Sequence, residues 1–257
     1  MRQPVRPKKA LGQHFLTDQD VAQAIVASLR SPGPVLEVGP GTGVLTQYLI
    51  RDPRLELKVV EIDSESVHYL LEHFPALAPN LYEADFLRMD LRKLFPDNFT
   101  VIGNFPYNIS SQIFFKILDY RQQIPEMVGM VQKEVAERLA AGPGSKTYGI
   151  LSVLLQAWYG IEYLFTVGEG AFVPPPKVKS AVIRLTRNAR TTLDCDEALF
   201  RRVVKTTFNQ RRKTIRNSLK PILSTLPKLP DFIPYLDARP EQLSVEDFVD
   251  LTKSLSL

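Results

Sequence analysis

The chain has 257 residues, 44 % of them hydrophobic and 23 % charged, which excludes disordered and fibrous classes and allows a sizeable core. Its single cysteine, Cys195, excludes a disulfide framework and a cysteine-rich zinc site. The net charge of +4 is too small to single out a polyanionic partner, so the distribution of charge carries the information.

The N-terminal stretch 1–12 holds Arg2, Arg6, Lys8 and Lys9 and no acid. It runs into a segment too short and too polar for a signal-peptide core. Apolar residues at 21, 25, 26 and 29 predict a helix over 18–29. Residues 34–38 form a short apolar run ending in glycines, a buried strand, with a helix over 44–50. Strands over 57–62, 81–84, 100–103 and 127–132 alternate with helices over 65–73, 111–118 and 134–141. Strands separated by helical patterns mean a parallel sheet covered on both faces. The most apolar stretch, 150–161, is broken by Ser152, Gln156 and Gly160; it suits a buried helix and is too short to span a membrane. Two β-rich stretches, 162–167 and 180–186, suggest an antiparallel pair at the sheet edge.

The pattern changes near Arg187. Asp194 followed by Glu197 resembles a capping box. Leu199, Phe200, Val203, Val204 and Phe208 then form a helical stripe, with further helices over 211–219 and 245–255. Thus a α/β domain over 1–187 precedes a small helical domain over 188–257. Residues 170–220 hold thirteen basic residues against Asp194, Asp196 and Glu197, whereas the tail from 221 onward has three bases and six acids. Such concentration predicts a basic face.

Val35-Leu36-Glu37-Val38-Gly39-Pro40-Gly41-Thr42-Gly43 reads as strand, glycine turn and helix start, where glycines let a ligand approach the backbone. Glu61 ends the next strand, 22 residues after Gly39. An acid at about that offset accepts hydrogen bonds from ribose hydroxyls. Val44 occupies the place of the third dinucleotide-fingerprint glycine, no second nucleotide-binding half follows, and no Walker lysine is present. The loop therefore suits a single nucleoside rather than a dinucleotide or a P-loop nucleotide.

Gly103-Asn104-Phe105-Pro106-Tyr107 follows the fourth strand, at the same edge of the sheet. The Asn104 side-chain oxygen and the Phe105 carbonyl can accept hydrogen bonds from an exocyclic amine, while Pro106 holds the backbone and Tyr107 stacks on the base. Two acceptors on the hydrogens of the adenine amine favour a more pyramidal, more nucleophilic nitrogen.

Here the chain resembles the S-adenosylmethionine-dependent rRNA adenine N6-dimethyltransferases, of the bacterial 16S rRNA dimethyladenosine transferase type, over nearly its whole length. The matching motifs are Lys9-Ala10-Leu11-Gly12-Gln13-His14-Phe15-Leu16, Glu37 through Gly43, Glu61-Ile62-Asp63, Ala84-Asp85-Phe86, Asn104 through Ser111, Phe172 through Val178, and Phe208-Asn209-Gln210-Arg211-Arg212-Lys213 with Asn217-Ser218-Leu219. The resemblance implies a Rossmann-like class I methyltransferase domain with S-adenosyl-L-methionine as cofactor. It implies that His14 and Leu16 close over the cofactor, that Gly39 and Gly41 admit its methionine part, that Glu61 holds the ribose, and that Asp85 with Phe86 holds the adenine. Asn104 would hold the target N6, and Tyr107 with Phe172 would sandwich the flipped base. On the residues alone, Phe172 serves equally well as a core residue under the Pro174-Pro175-Pro176 turn.

Two departures from the family pattern stand out. Phe105 replaces a more usual leucine, where the group needed is a backbone carbonyl. Lys179 stands where an acid is commoner, adding positive charge near the base pocket. Lys177, Lys179, Arg211, Arg212, Lys213 and Arg216 are expected to contact rRNA. The expected partner is 16S rRNA in the immature small ribosomal subunit, with a cytoplasmic, monomeric enzyme, no metal and no membrane. The alternatives are a 23S rRNA adenine N6-methyltransferase of the macrolide-resistance type and a non-catalytic ribosome-assembly or transcription factor.

Overall fold

The computed structural model describes residues 5–8 and 11–256; Arg2, Lys9 and Ala10, singled out above, lie outside the described residues. The strands are β1 (Phe15–Leu16), β2 (Gly33–Val38), β3 (Leu55–Glu61), β4 (Leu81–Glu83), β5 (Thr100–Asn104), β6 (Glu126–Gln132), β7 (Tyr159–Val167), β8 (Phe172–Val173) and β9 (Ser180–Arg187). The helices are α1 (Gln19–Ala27), α2 (Thr46–Leu49), α3 (Ser64–His73), α4 (Ser110–Asp119), α5 (Lys133–Ala140), α6 (Ile150–Gln156), α7 (Glu197–Asn209), α8 (Ile215–Ser218), α9 (Lys220–Leu223) and α10 (Val245–Ser254).

The chain forms two compact units, Met1–Ala136 with Ile161–Arg187, and Glu137–Gly160 with Asn188–Leu257. The first holds a sheet of order β4-β3-β2-β5-β6-β9-β7. β2 pairs parallel with β3 and β5, β3 with β4, and β5 with β6, whereas β9 pairs antiparallel with β6. Val35, Leu36, Val101, Ile102, Met127 and Val128 are all fully buried, as expected of parallel strands covered on both faces. On one face Val35, Val59, Ile102 and Val128 pack in one cluster with Ala22, Ile25 and Leu29 from α1 and the turn after it. Asp18 starts α1 by accepting from the N–H groups of Asp20 and Val21.

The chain runs outward from β2 through β3 to β4, then returns to lay β5 on the other side of β2. Doubly wound sheets bind ligands at such a reversal, beyond the carboxyl ends of the strands. The glycine turn follows β2 and the Asn104 loop follows β5, so the two motifs flank it. A further small sheet pairs Leu16 with Phe172 and Phe15 with Val173. Neither of its two-residue strands carries a period that sequence could show.

The second unit is helical apart from the start of β7. Phe208 on α7 packs against Tyr148 and Phe248, with ring centroids 6.1 and 5.8 Å away. This unit corrects three expectations. The segment Glu137–Gly160 joins it, whereas the sequence boundary at 187/188 left that segment in the first domain; buried Leu151, Val153, Leu154 and Leu155 make α6 nearly all core. The cap of α7 is Asp196, which accepts from Leu199 N at 2.6 Å, while Asp194 instead pairs with Lys253. The helix expected over 211–219 shrinks to α8, because the Ile215 and Arg216 N–H groups bond to the Ala238 and Leu236 carbonyls. No helix among the described residues is long and apolar enough to cross a membrane.

Candidate active site

A cavity of about 270 Å³ opens at the strand reversal in the first unit. It is lined by His14, Leu16, Gly39, Gly41, Glu61, Asp85, Phe86, Asn104, Phe105, Pro106 and Tyr107. The structure thus brings together residues that sequence placed in five separate motifs.

The glycine turn forms one wall. Gly39 and Gly41 have φ of +68° and +57°, a region that favours glycine. At Gly41 a Cβ would also stand 3.0 Å from the Phe15 ring. The Gly41 N–H donates to Glu61 Oε2 at 3.1 Å, and Ile62 and Asp63 donate to Oε1 at 2.8 and 2.9 Å. Burial raises the Glu61 pKa, against the lowering effect of these bonds. The bonds fix the carboxylate at the end of β3 and leave lone-pair capacity for a diol.

Glu37, which opens the glycine-loop motif, received no role from the sequence. Its carboxyl is 1 % exposed and also lines the cavity. Thr46 donates to Oε2 at 2.7 Å, but Oε1 has no hydrogen-bond partner among the described residues. Burial pushes its pKa up to about 8; the Thr46 bond opposes this and the charge of Glu61 adds to it. The signal in the sequence was an acid inside an otherwise apolar central strand, Val35-Leu36-Glu37-Val38.

Asp85 and Phe86 reach the cavity from the loop after β4. Asp85 Oδ1 accepts from Leu87 N at 2.9 Å and Oδ2 pairs with Arg88 at 3.3 Å. The Phe86 side chain is 5 % exposed.

The opposite wall is the loop after β5. Asn104 Nδ2 donates to the His14 carbonyl at 3.1 Å, which turns Oδ1, the acceptor, to the other side of the amide. The Phe105 ring is 1 % exposed and meets Phe114 edge-on at 6.4 Å. It occupies the space beside Gly129 where any side chain would collide, so the bulkier residue is absorbed by the core. The Tyr107 hydroxyl bonds to Ser180 Oγ, and burial raises its pKa. His14 stacks on the Tyr107 ring at 5.4 Å and its Nδ1 lies 2.9 Å from the Pro174 carbonyl.

The N-terminal arm reaches this place through Lys8, which pairs with Asp63 and with Glu65 at 3.1 Å. Burial raises the Asp63 pKa, but the bonds from Lys8 and Gln13 outweigh it and hold it below the usual carboxylate value.

Phe172 does not join the cavity wall. It is 2 % exposed and belongs to the cluster containing Leu16, Ile25 and Val182, because β8 pairs with β1 and turns the ring inward. The expected two-sided sandwich is therefore corrected: Tyr107 lines the cavity and Phe172 does not. Lys177 and Lys179 are exposed and do not line it. In the second unit Arg212 and Lys213 are exposed, Arg211 donates to the Ser145 carbonyl at 3.0 Å, and Arg216 pairs with Asp237 at 2.9 Å. No group of three His, Cys, Asp or Glu side chains suited to a metal ion occurs among the described residues.

The strand order and a nucleoside-sized cavity at its reversal define a class I S-adenosylmethionine-dependent methyltransferase. The model of the ribosomal RNA adenine dimethylase family matches residues 5–255, and the chain belongs to that family. It is 64 % identical over 251 residues to the ribosomal RNA small subunit methyltransferase A of Parabacteroides distasonis, covering 96 % of this chain and 93 % of the relative. Against the protein of that name from Cytophaga hutchinsonii it is 60 % identical, covering 98 % of each. Among solved structures it resembles a dimethyladenosine transferase from Plasmodium falciparum (TM-score 0.77, 25 % identity, 93 % of this chain and 96 % of the other). It also resembles the 23S rRNA methyltransferase ErmE (TM-score 0.66, 28 % identity, 93 % and 99 %).

Proposed function

We propose that this enzyme methylates N6 of two adjacent adenosines in the 3′-terminal hairpin of 16S rRNA, twice each, during small-subunit assembly in the cytoplasm. The observation that carries the reading is that Asn104 and Tyr107 share one cavity with the glycine turn, Glu61 and Asp85. A nucleoside held by the second set faces a base held by the first.

The residues fit the cofactor. Glu61 offers acceptors for ribose hydroxyls, Asp85 for an adenine amine, and the Glu37 Oε1 without a partner suits a cationic group. When bound, S-adenosylmethionine supplies an electrophilic methyl group on a sulfonium. Asn104 Oδ1 and the Phe105 carbonyl accept from N6–H and fix its lone pair toward that side. Tyr107 stacks on the base, a contact worth about 1–3 kcal/mol. Alignment of this kind supplies up to roughly 7–11 kcal/mol. N6 would form its bond to the methyl carbon as the carbon–sulfur bond breaks, the electron pair returning to sulfur and leaving S-adenosylhomocysteine; the proton on the now cationic N6 becomes acidic and leaves to water. After the first transfer N6 keeps one hydrogen, so only one acceptor stays satisfied in the second.

Outside the cavity, Lys177, Lys179, Arg211, Arg212, Lys213 and Arg216 are proposed to hold rRNA phosphates while the base is flipped. Arg211 and Arg216 would exchange their present partners for phosphate. Identities of 60 % and above to small-subunit enzymes, against 28 % to ErmE, support the 16S target over the 23S one. Assaying undermethylated small and large subunits side by side tests this; label in 16S rRNA is expected, and label in 23S rRNA alone would refute it.

A further inference from the structure

Lys116 lies in the last turn of α4, the helix that follows the Asn104–Tyr107 loop. Its side chain is 9 % exposed and runs inward rather than to solvent. Its Nζ donates to the Leu87 carbonyl at 3.1 Å and to the Met89 carbonyl. Both belong to the loop that carries Asp85 and Phe86 into the cavity. Nζ also stands 5.4 Å from the Phe86 ring centroid and 5.3 Å from that of Tyr120, within the range of cation–π attraction. Tyr120 adds a second tie, donating to Asp90 at 3.1 Å and accepting from Leu91 N at 3.3 Å. Burial lowers the Lys116 pKa, and the charges of Asp85, Asp90 and Asp119 oppose this.

Between β4 and the turn at Leu91 the loop has no strand ladder. Its start is pinned where the Ala84 N–H donates to the Glu61 carbonyl at 2.9 Å; beyond that the backbone is held by local turns and by these side chains. A buried ammonium that spends its donors on two consecutive-turn carbonyls therefore determines where Asp85 and Phe86 sit. No sequence motif pointed to it; a lysine in Phe114-Phe115-Lys116-Ile117 reads as one polar residue in an apolar helix.

We infer that Lys116 is a positioning residue for cofactor binding, which sets the Asp85–Phe86 loop against the adenosine part of the cofactor from the helix behind the target-base loop. This rests on the reading of the cavity as an S-adenosylmethionine site. The adenosine part is common to S-adenosylmethionine and S-adenosylhomocysteine. Loss of Lys116 therefore weakens both equally, unlike loss of a group that senses the sulfonium charge.

The test measures the dissociation constants of both ligands by calorimetry, and kcat and KM, for wild type, Lys116→Met and Lys116→Arg. Lys116→Met is expected to weaken both ligands by the same factor, about tenfold or more, the scale of a lost charge-assisted hydrogen bond. At saturating cofactor its kcat stays close to wild type, and Lys116→Arg recovers part of the affinity. Should Lys116→Met not fold, Tyr120→Phe cuts the second tie of the same loop and is expected to weaken both ligands by about two- to tenfold. Unchanged affinity in the folded variants, or a loss confined to kcat, overturns the inference. Failure of wild type to bind either ligand overturns instead the cofactor reading beneath it.

Discussion

Glu37 should make the stability of the ligand-free protein fall as pH rises. Its pKa is about 8 in the folded state and near 4.5 in a carboxyl exposed to water. The folded state therefore holds a proton that the unfolded state has already released across this window. The stabilisation is complete below the unfolded value and is lost as pH climbs through the folded one. At about 1.36 kcal/mol per pH unit, that loss amounts to roughly 4–5 kcal/mol. Glu37→Gln keeps the volume and the Thr46 contact but cannot ionise. Urea denaturation of both proteins at intervals from pH 5 to pH 9 isolates the effect, since Glu61 and every other group are common to both. At pH 5 the two should lie within about 1 kcal/mol, and at pH 9 the variant should be more stable by roughly 4 kcal/mol. Parallel curves across the range would show that Glu37 ionises normally and refute the reasoning.

Asn104→Ala should lower kcat by roughly 10²-fold, the scale of a misaligned reacting group, with RNA affinity unchanged in filter binding; equal losses in both would show a structural role. Phe172→Ala should cost about 3–5 kcal/mol in denaturation, whereas Phe172→Leu keeps most activity because the residue serves the core. A Phe172→Leu protein of full stability but no activity would restore the sandwich. Replacing Arg212 and Lys213 together with Ala should weaken rRNA binding and lower its salt slope by about 2, and an unaltered slope would remove these residues from the interface.

The fold was legible because its strands are nearly continuous apolar runs and its helices carry a stripe. The glycine turn, Glu61 and Asn104–Tyr107 were legible because each lies where a parallel strand ends, and strand order then places those ends together; Asp85 was indicated only by the family resemblance. What escaped had physical reasons. β1 and β8 have two residues each, too few for a period. Phe172 faces inward only because of that pairing. Glu37 and Lys116 act through burial, which composition does not display. The segment Glu137–Gly160 looks like a continuation of the α/β alternation, and only the packing of α6 assigns it to the helical unit.

At the centre of the proposed function stands one cavity that would bring a methyl donor to N6 of adenosine. Incubating the purified protein with labelled S-adenosylmethionine and undermethylated small subunits, then digesting the RNA to nucleosides, tests it directly. Label is expected in N6,N6-dimethyladenosine, cut by roughly 10²-fold in Asn104→Ala; wild-type protein that leaves adenosine unmethylated would refute the methyl-transfer reading.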